Sequence, residues 1–185
     1  MASDRRVKYT QMVLREALVT LLANKPITKI TTTEICALAD VNRGTFYTHY
    51  TDQYDLLQSI QDDFAAEVLD LQARRRSERM STQAMLTGLA TYFRQQLSLC
   101  KVLFTTTGGE DLIARLIRDA STEFIATWPD QATDPDDLEM LYEFIARGSA
   151  AVLRHWIMTD ATQPPEHIAQ LVIKASMHGS ASFRK

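Results

Sequence analysis

Between positions 42 and 49 the chain reads Asn-Arg-Gly-Thr-Phe-Tyr-Thr-His, polar groups with long hydrogen-bonding reach set around aromatic rings. Phe46 and Tyr50 stand four residues apart, about one helical turn, so they share a face and bury together. Asn42, Arg43, Gly44 and Thr45 then occupy the leading end of that helix. Arg43 could donate a bidentate pair to guanine, and Thr45 could touch a thymine methyl or a phosphate. Gly44 lets the backbone approach closely. Tyr47, Thr48 and His49 fall off the Phe46–Tyr50 face and are available to phosphates. This is chemistry suited to a DNA groove. It is also the composition of a small helical hairpin inside any bundle, and the spacing alone leaves both open.

No other constellation competes. His49, His155, His167 and His178 form no metal spacing, and neither Cys36 nor Cys100 is near a second cysteine, so no metal is expected. There is no GxSxG elbow, phosphate-binding glycine loop or dinucleotide fingerprint. With no paired carboxylates or nucleophile–base spacing either, neither an enzyme nor a cofactor is expected. Gly108-Gly109 reads as a helix junction. Arg74-Arg75-Arg76 with Arg79 reads as a solvated helix end favoured by the helix dipole. Tyr92, Phe93, Phe104, Leu116 and Trp128 belong to the apolar core or, if that core is hollow, to a small-molecule site.

The elements that must position these residues are helices. Leu14, Ala17, Leu18 and Leu21 follow helical spacing up to Pro26, which forbids an ordinary continuation. Thr31 with Glu34 three residues on is a capping box, opening a short helix with Ile35, Leu38 and Ala39. Asp40-Val41-Asn42 makes a turn, and Asn42 caps the helix that begins at Arg43. Helix, tight turn and helix across 31–50 form a helix-turn-helix. A long amphipathic helix follows from about Tyr54 to Arg76. Ser81 or Thr82 caps the next, which runs through Leu86, Leu89, Tyr92, Phe93 and Leu97. After a break at Thr105–Gly109, helical spacing resumes at Leu112, Leu116 and Ile117 as far as Trp128-Pro129. Asp134-Pro135 starts a helix reaching Met158, and Pro164-Pro165 opens the last. No segment sustains a period of two. The expectation is an all-α fold of about nine helices, with a DNA-binding domain over 1–52 and a helical dimerisation and effector domain over 53–185.

Composition agrees. The 185 residues are 45% hydrophobic and 23% charged, ordinary values for a globular chain. Six glycines and five prolines leave room for few turns. No apolar run approaches the roughly 18 residues needed to span a bilayer. Two isolated cysteines suit a reducing compartment, so a soluble cytoplasmic protein is expected. Net charge is −3, but residues 1–60 hold seven basic and six acidic groups, leaving the rest acidic. That mild asymmetry permits nucleic-acid binding by the first third.

The stretch Ile27–Leu57, ITKITTTEICALADVNRGTFYTHYTDQYDLL, resembles the DNA-binding signature of TetR-family transcription regulators. The shared pattern is a Thr-capped helix, a Val and polar residue, Arg-Gly-Thr-Phe-Tyr, a His-aromatic pair and a closing Leu-Leu. Residues 144–165 resemble the C-terminal portion of one TetR subgroup. The resemblance implies a homodimer on a near-palindromic operator, repression as the family's common mode, and release by a small-molecule effector that tilts helix four. By position it assigns Thr31, Thr32 and Thr33 to the DNA edge of helix two. It assigns Arg43, Gly44, Thr45, Tyr47 and His49 to the recognition surface. Gln53 stands where the family usually has a phosphate-binding Lys, and Thr51 where a basic residue is frequent. Those departures imply weaker phosphate contact and keep a rival open, a TetR-shaped co-regulator with weakened DNA binding; Arg5, Arg6 and Lys8 could compensate.

The segment Asp137–Met158 is apolar on two sides, one carrying Tyr142, Ile145, Val152 and Trp156 and the other Ala146, Ala150, Leu153 and Ile157. One protomer is expected to cover only one side. The second, with Ile168, Leu171 and Val172, then builds a four-helix dimer interface.

Overall fold

A computed structural model of the chain describes residues 2–78, 80–105, 113, 114, 116, 118 and 135–180. Among these every regular element is helical, as the periodicity requires. The α-helices are α1 (Ala2–Leu22), α2 (Thr32–Ala39), α3 (Arg43–His49), α4 (Gln53–Ser77), α5 (Thr82–Gln95), α6 (Leu97–Thr105), α7 (Pro135–Met158) and α8 (Pro165–Ser180). A 3-10 turn at Ile27–Lys29 follows Pro26. The expected junction at Gly108-Gly109, and Trp128 with its neighbours, lie outside the described residues.

The chain forms two compact units, Met1–Phe64 and Ala65–Lys185. In the first, Leu14, Ala17 and Leu18 of α1 pack with Ile30, Ile35, Phe46 and Tyr50, all buried. Leu56, Leu57, Ile60 and Phe64 of α4 are buried too, which is why this unit extends past position 52 into α4. An ion pair from Arg15 to Asp63 joins α1 to the same stretch of α4.

In the second unit α5 packs most extensively against α8, while α7 meets α8, α6 and α5. The single helix expected from Ser81 through Leu97 is broken at Gln96. There φ is −99° and ψ 32°, yet the Gln96 N–H still donates to the Tyr92 carbonyl and its own carbonyl accepts from Cys100. Both of Gln96's own backbone hydrogen bonds survive the bend, and no Gly or Pro marks it in the sequence. Between α7 and α8, Asp160 and Ala161 both have positive φ. The Ala161 N–H bonds to the Trp156 carbonyl at 2.8 Å and the Asp160 N–H to Ile157 at 3.2 Å, a Schellman cap with Asp where Gly is usual.

Both apolar sides of α7 are covered within one chain, which corrects the expectation that only one would be. Ile145 and Trp156 are buried, and so are Ala146, Ala150, Leu153 and Ile157. On α8, Ile168 and Val172 are buried while Leu171 is 45% exposed. The reason is that α7 has neighbours on three sides: α5, α6 and α8. The apolar groups left in solvent are others, Met140 (63% exposed), Phe144 (68%) and Met158 (42%).

Candidate nucleic-acid interface

The helix-turn-helix is built by three successive side-chain caps. At α2, the Thr31 hydroxyl accepts the Glu34 N–H at 3.3 Å, and the Glu34 carboxylate accepts the Thr31 N–H at 3.0 Å. Lys25 Nζ adds a bond of 2.5 Å to the same carboxylate. The Lys25 ammonium first, then the Thr31 N–H and hydroxyl, hold the Glu34 carboxyl down at about 2. Asp40 then turns the chain with φ 53°, in the left-handed region that Asp tolerates better than most residues. At α3, Asn42 Oδ1 accepts the Thr45 N–H at 2.8 Å and the Thr45 hydroxyl at 3.1 Å. A Cβ at position 44 would come 3.3 Å from that Asn42 oxygen, tight enough to press on the cap.

The candidate contact residues therefore divide. Thr31, Asn42 and Thr45 spend hydrogen-bonding capacity on caps, and Thr48 donates to the Gly44 carbonyl at 2.9 Å. Thr33 is exposed, while Thr32, His49 and Gln53 are half-buried. Arg43 and Tyr47 project together. Arg43 Nη2 donates to Tyr47 Oη at 3.3 Å, and its guanidinium carbon lies 5.8 Å from the ring centroid. The Thr32 hydroxyl is 3.3 Å from the same phenol oxygen. Phe46 is fully buried and meets Tyr47 edge-on at 5.5 Å, which seats the exposed ring on the core.

A third cap opens α4, and sequence reasoning passed over it. Asp52 Oδ1 accepts the N–H groups of Tyr54 and Asp55 at 2.8 and 2.9 Å. Asp55 Oδ2 accepts the Thr51 N–H at 2.8 Å and its hydroxyl at 3.2 Å. Asp ahead of an apolar helical run was the available signal. Two carboxylates thus flank Gln53 and occupy backbone donors at a helix start, where an anion would otherwise bind.

The second unit contains an apolar cavity of about 60 Å³, which holds a few water-sized groups. Its walls include Val68, Met85, Leu89, Phe93, Leu116, Ile145, Leu153, Ile168 and Val172, and among the described residues the polar side chains are the hydroxyls of Thr82, Ser149 and Ser176. Of the residues expected at a ligand site, Phe93 and Leu116 line it. Tyr92 instead donates its hydroxyl to Glu67 at 2.5 Å. Phe104 lines a separate open groove with Arg147, Ala150, Arg154 and His155. Trp128 lies outside the described residues. Among the described residues no cluster of ligating side chains could hold a metal, and no helix is long and apolar enough to cross a membrane.

The chain is similar to known proteins in sequence and in fold. A family described as "Transcriptional regulator C-terminal region", of the TetR type, matches residues 81–178. The uncharacterized HTH-type transcriptional regulator YxbF of Bacillus subtilis is 37% identical over 68 residues, 36% of this chain and 18% of that protein. The match thus spans under a fifth of YxbF. A TetR transcriptional regulator from Streptococcus agalactiae superposes with a TM-score of 0.73 at 18% identity, over 95% of this chain and 98% of that one. FadR from Bacillus subtilis, solved with stearoyl-CoA, gives 0.68 at 14% identity, over 89% and 96%. At such identities the structural matches establish the fold.

Proposed function

The chain belongs to the TetR family of transcriptional regulators, and from that premise we propose that it is a homodimeric repressor released from a near-palindromic operator by a small, neutral, apolar effector. The observation that carries the DNA reading is the exposed Arg43–Tyr47 pair of α3, neither of whose side chains is consumed by a cap. Arg43 is the one full positive charge in that helix and takes the base-reading role; Thr32, Thr33, Thr48 and His49 face phosphates.

Dimerisation is supported by the apolar groups left outside. Phe144, Ala151 and Met158 recur at seven-residue steps on α7, with Met140 one turn before them. This stripe, with Leu171 of α8, replaces the interface expected from Ala150 and Leu153. A Cβ at Gly148 would meet nothing within 4 Å, so a partner helix has room to approach there. A two-fold interface presents two recognition helices to two half-sites.

The effector reading rests on the cavity. Its described walls carry no charge, and an ion placed there would lose its hydration without a partner. An acyl chain such as that bound by FadR has the right polarity, but about 60 Å³ suits a much smaller apolar molecule unless the walls give way. Val68 in that wall belongs to α4, the helix that follows the recognition helix in the chain.

Selection of DNA from a random pool by the purified protein tests the reading. Enrichment of an inverted repeat is expected, with Arg43→Ala costing about 1–3 kcal/mol there and relaxing one position per half-site. Failure to enrich any motif would favour the co-regulator, which the carboxylates around Gln53 keep in view.

A further inference from the structure

We propose that Tyr47 is a positioning residue for sequence readout, holding the Arg43 guanidinium on its ring and phenol so that it meets a guanine edge already oriented. This deepens the DNA-binding reading and rests on it.

Arg43 is the first residue of α3, where the helix dipole disfavours a positive charge. Its placement is therefore not explained by helix stability, and residues that break a local rule often serve a site. A free Arg carries rotamer entropy that a bidentate base contact must remove. Here much of that ordering is already done: Tyr47 Oη accepts from Arg43 Nη2 at 3.3 Å, and the guanidinium stays within 5.8 Å of the ring centroid. The ring is itself held from two directions. Buried Phe46 meets it edge-on, and Thr32 at the start of α2 reaches its hydroxyl at 3.3 Å. Both polar neighbours favour the phenolate, and the Tyr47 phenol is lowered from its ordinary value, by Thr32 first and Arg43 second. The unit joins the first turns of both helices of the motif, so the geometry of the turn between them sets where Arg43 points.

The test uses the operator selected by the wild-type protein, the same DNA with the Arg43-dependent base pair exchanged, and random DNA. Tyr47→Leu should cut discrimination between the first two about tenfold, a substantial share of what one bidentate base contact supplies. Binding to the exchanged and random duplexes should change less than about twofold. Tyr47→Phe, which keeps the ring, should restore part of the discrimination. Equal losses on all three duplexes would overturn the proposal, because Tyr47 would then be a phosphate contact or a structural residue. Full discrimination by Tyr47→Leu would overturn it as well. A measurement without DNA separates this failure from that of the parent reading. The Tyr47 ring carbon, assigned by NMR through Tyr47→Phe, should titrate at higher pH in Arg43→Gln than in wild type. An unchanged titration would show that the pair does not form in solution, whatever the protein does on DNA.

Discussion

At the scale of single residues, the helix-turn-helix is an exercise in assigning scarce hydrogen bonds. Glu34 serves α2 as the second half of its capping box and takes Lys25 as well. Its carboxyl is held at about 2, below the ordinary 4.5, so the stabilisation it provides is present in full above pH 4.5 and is lost as pH falls toward 2. Denaturation midpoints measured across that window should fall less steeply for Glu34→Gln than for the wild type. At α4 the same economy works against phosphate contact. Gln53 carries no charge, and Asp52 and Asp55 close the nearby backbone donors. Gln53→Lys should therefore tighten binding to all DNA and steepen the salt dependence by up to about one unit per half-site. An unchanged salt slope would mean that position 53 faces away from the duplex.

At the scale of elements, what ends a helix matters as much as what builds it. Asp40 terminates α2 with φ 53° and remains exposed. A side chain in that region costs about 1–2 kcal/mol, less for Asp, whereas Gly adopts it freely but loses more entropy on folding. Asp40→Gly should leave a net gain of about 0.5 kcal/mol, visible in calorimetry as a melting temperature higher by roughly 1–2 °C. A lower melting temperature would mean that the carboxylate stabilises the turn more than the backbone strains it. The caps at Thr31, Asn42 and Ser81 were legible in the sequence because each depends on residues within three positions. The bend at Gln96 was not, since both of its backbone hydrogen bonds survive and no residue type announces it.

At the scale of the molecule, the decisive feature is which apolar surface remains after the chain has folded on itself. Leu153 is buried against the cavity, so Leu153→Glu would leave an unpaired charge in the core and unfold the second unit. Phe144 is 68% exposed, so Phe144→Glu should shift protomer stability by no more than about 0.5 kcal/mol. In the proposed dimer, however, it sets two carboxylates close to the two-fold axis. The variant should sediment as a monomer, keep its far-UV helicity and lose operator binding. A Phe144→Glu protein that stays dimeric would place the interface elsewhere.

The sequence by itself determined the caps of α2, α3 and α5 and the composition of the recognition helix. These depend on contacts between residues at most four positions apart, and such contacts form wherever the helix does. Phe46 and Tyr50 had to turn inward together, which left Arg43 and Tyr47 outside. Only the tertiary structure decided that Thr32, fifteen residues from Tyr47, closes the triad with Arg43, because that meeting depends on how α2 and α3 cross at Asp40. It alone decided that both apolar sides of α7 are covered and that Phe144 is left in water. A helix's pattern shows which side chains avoid water, but the number of neighbours available to shield them is a property of the packed chain.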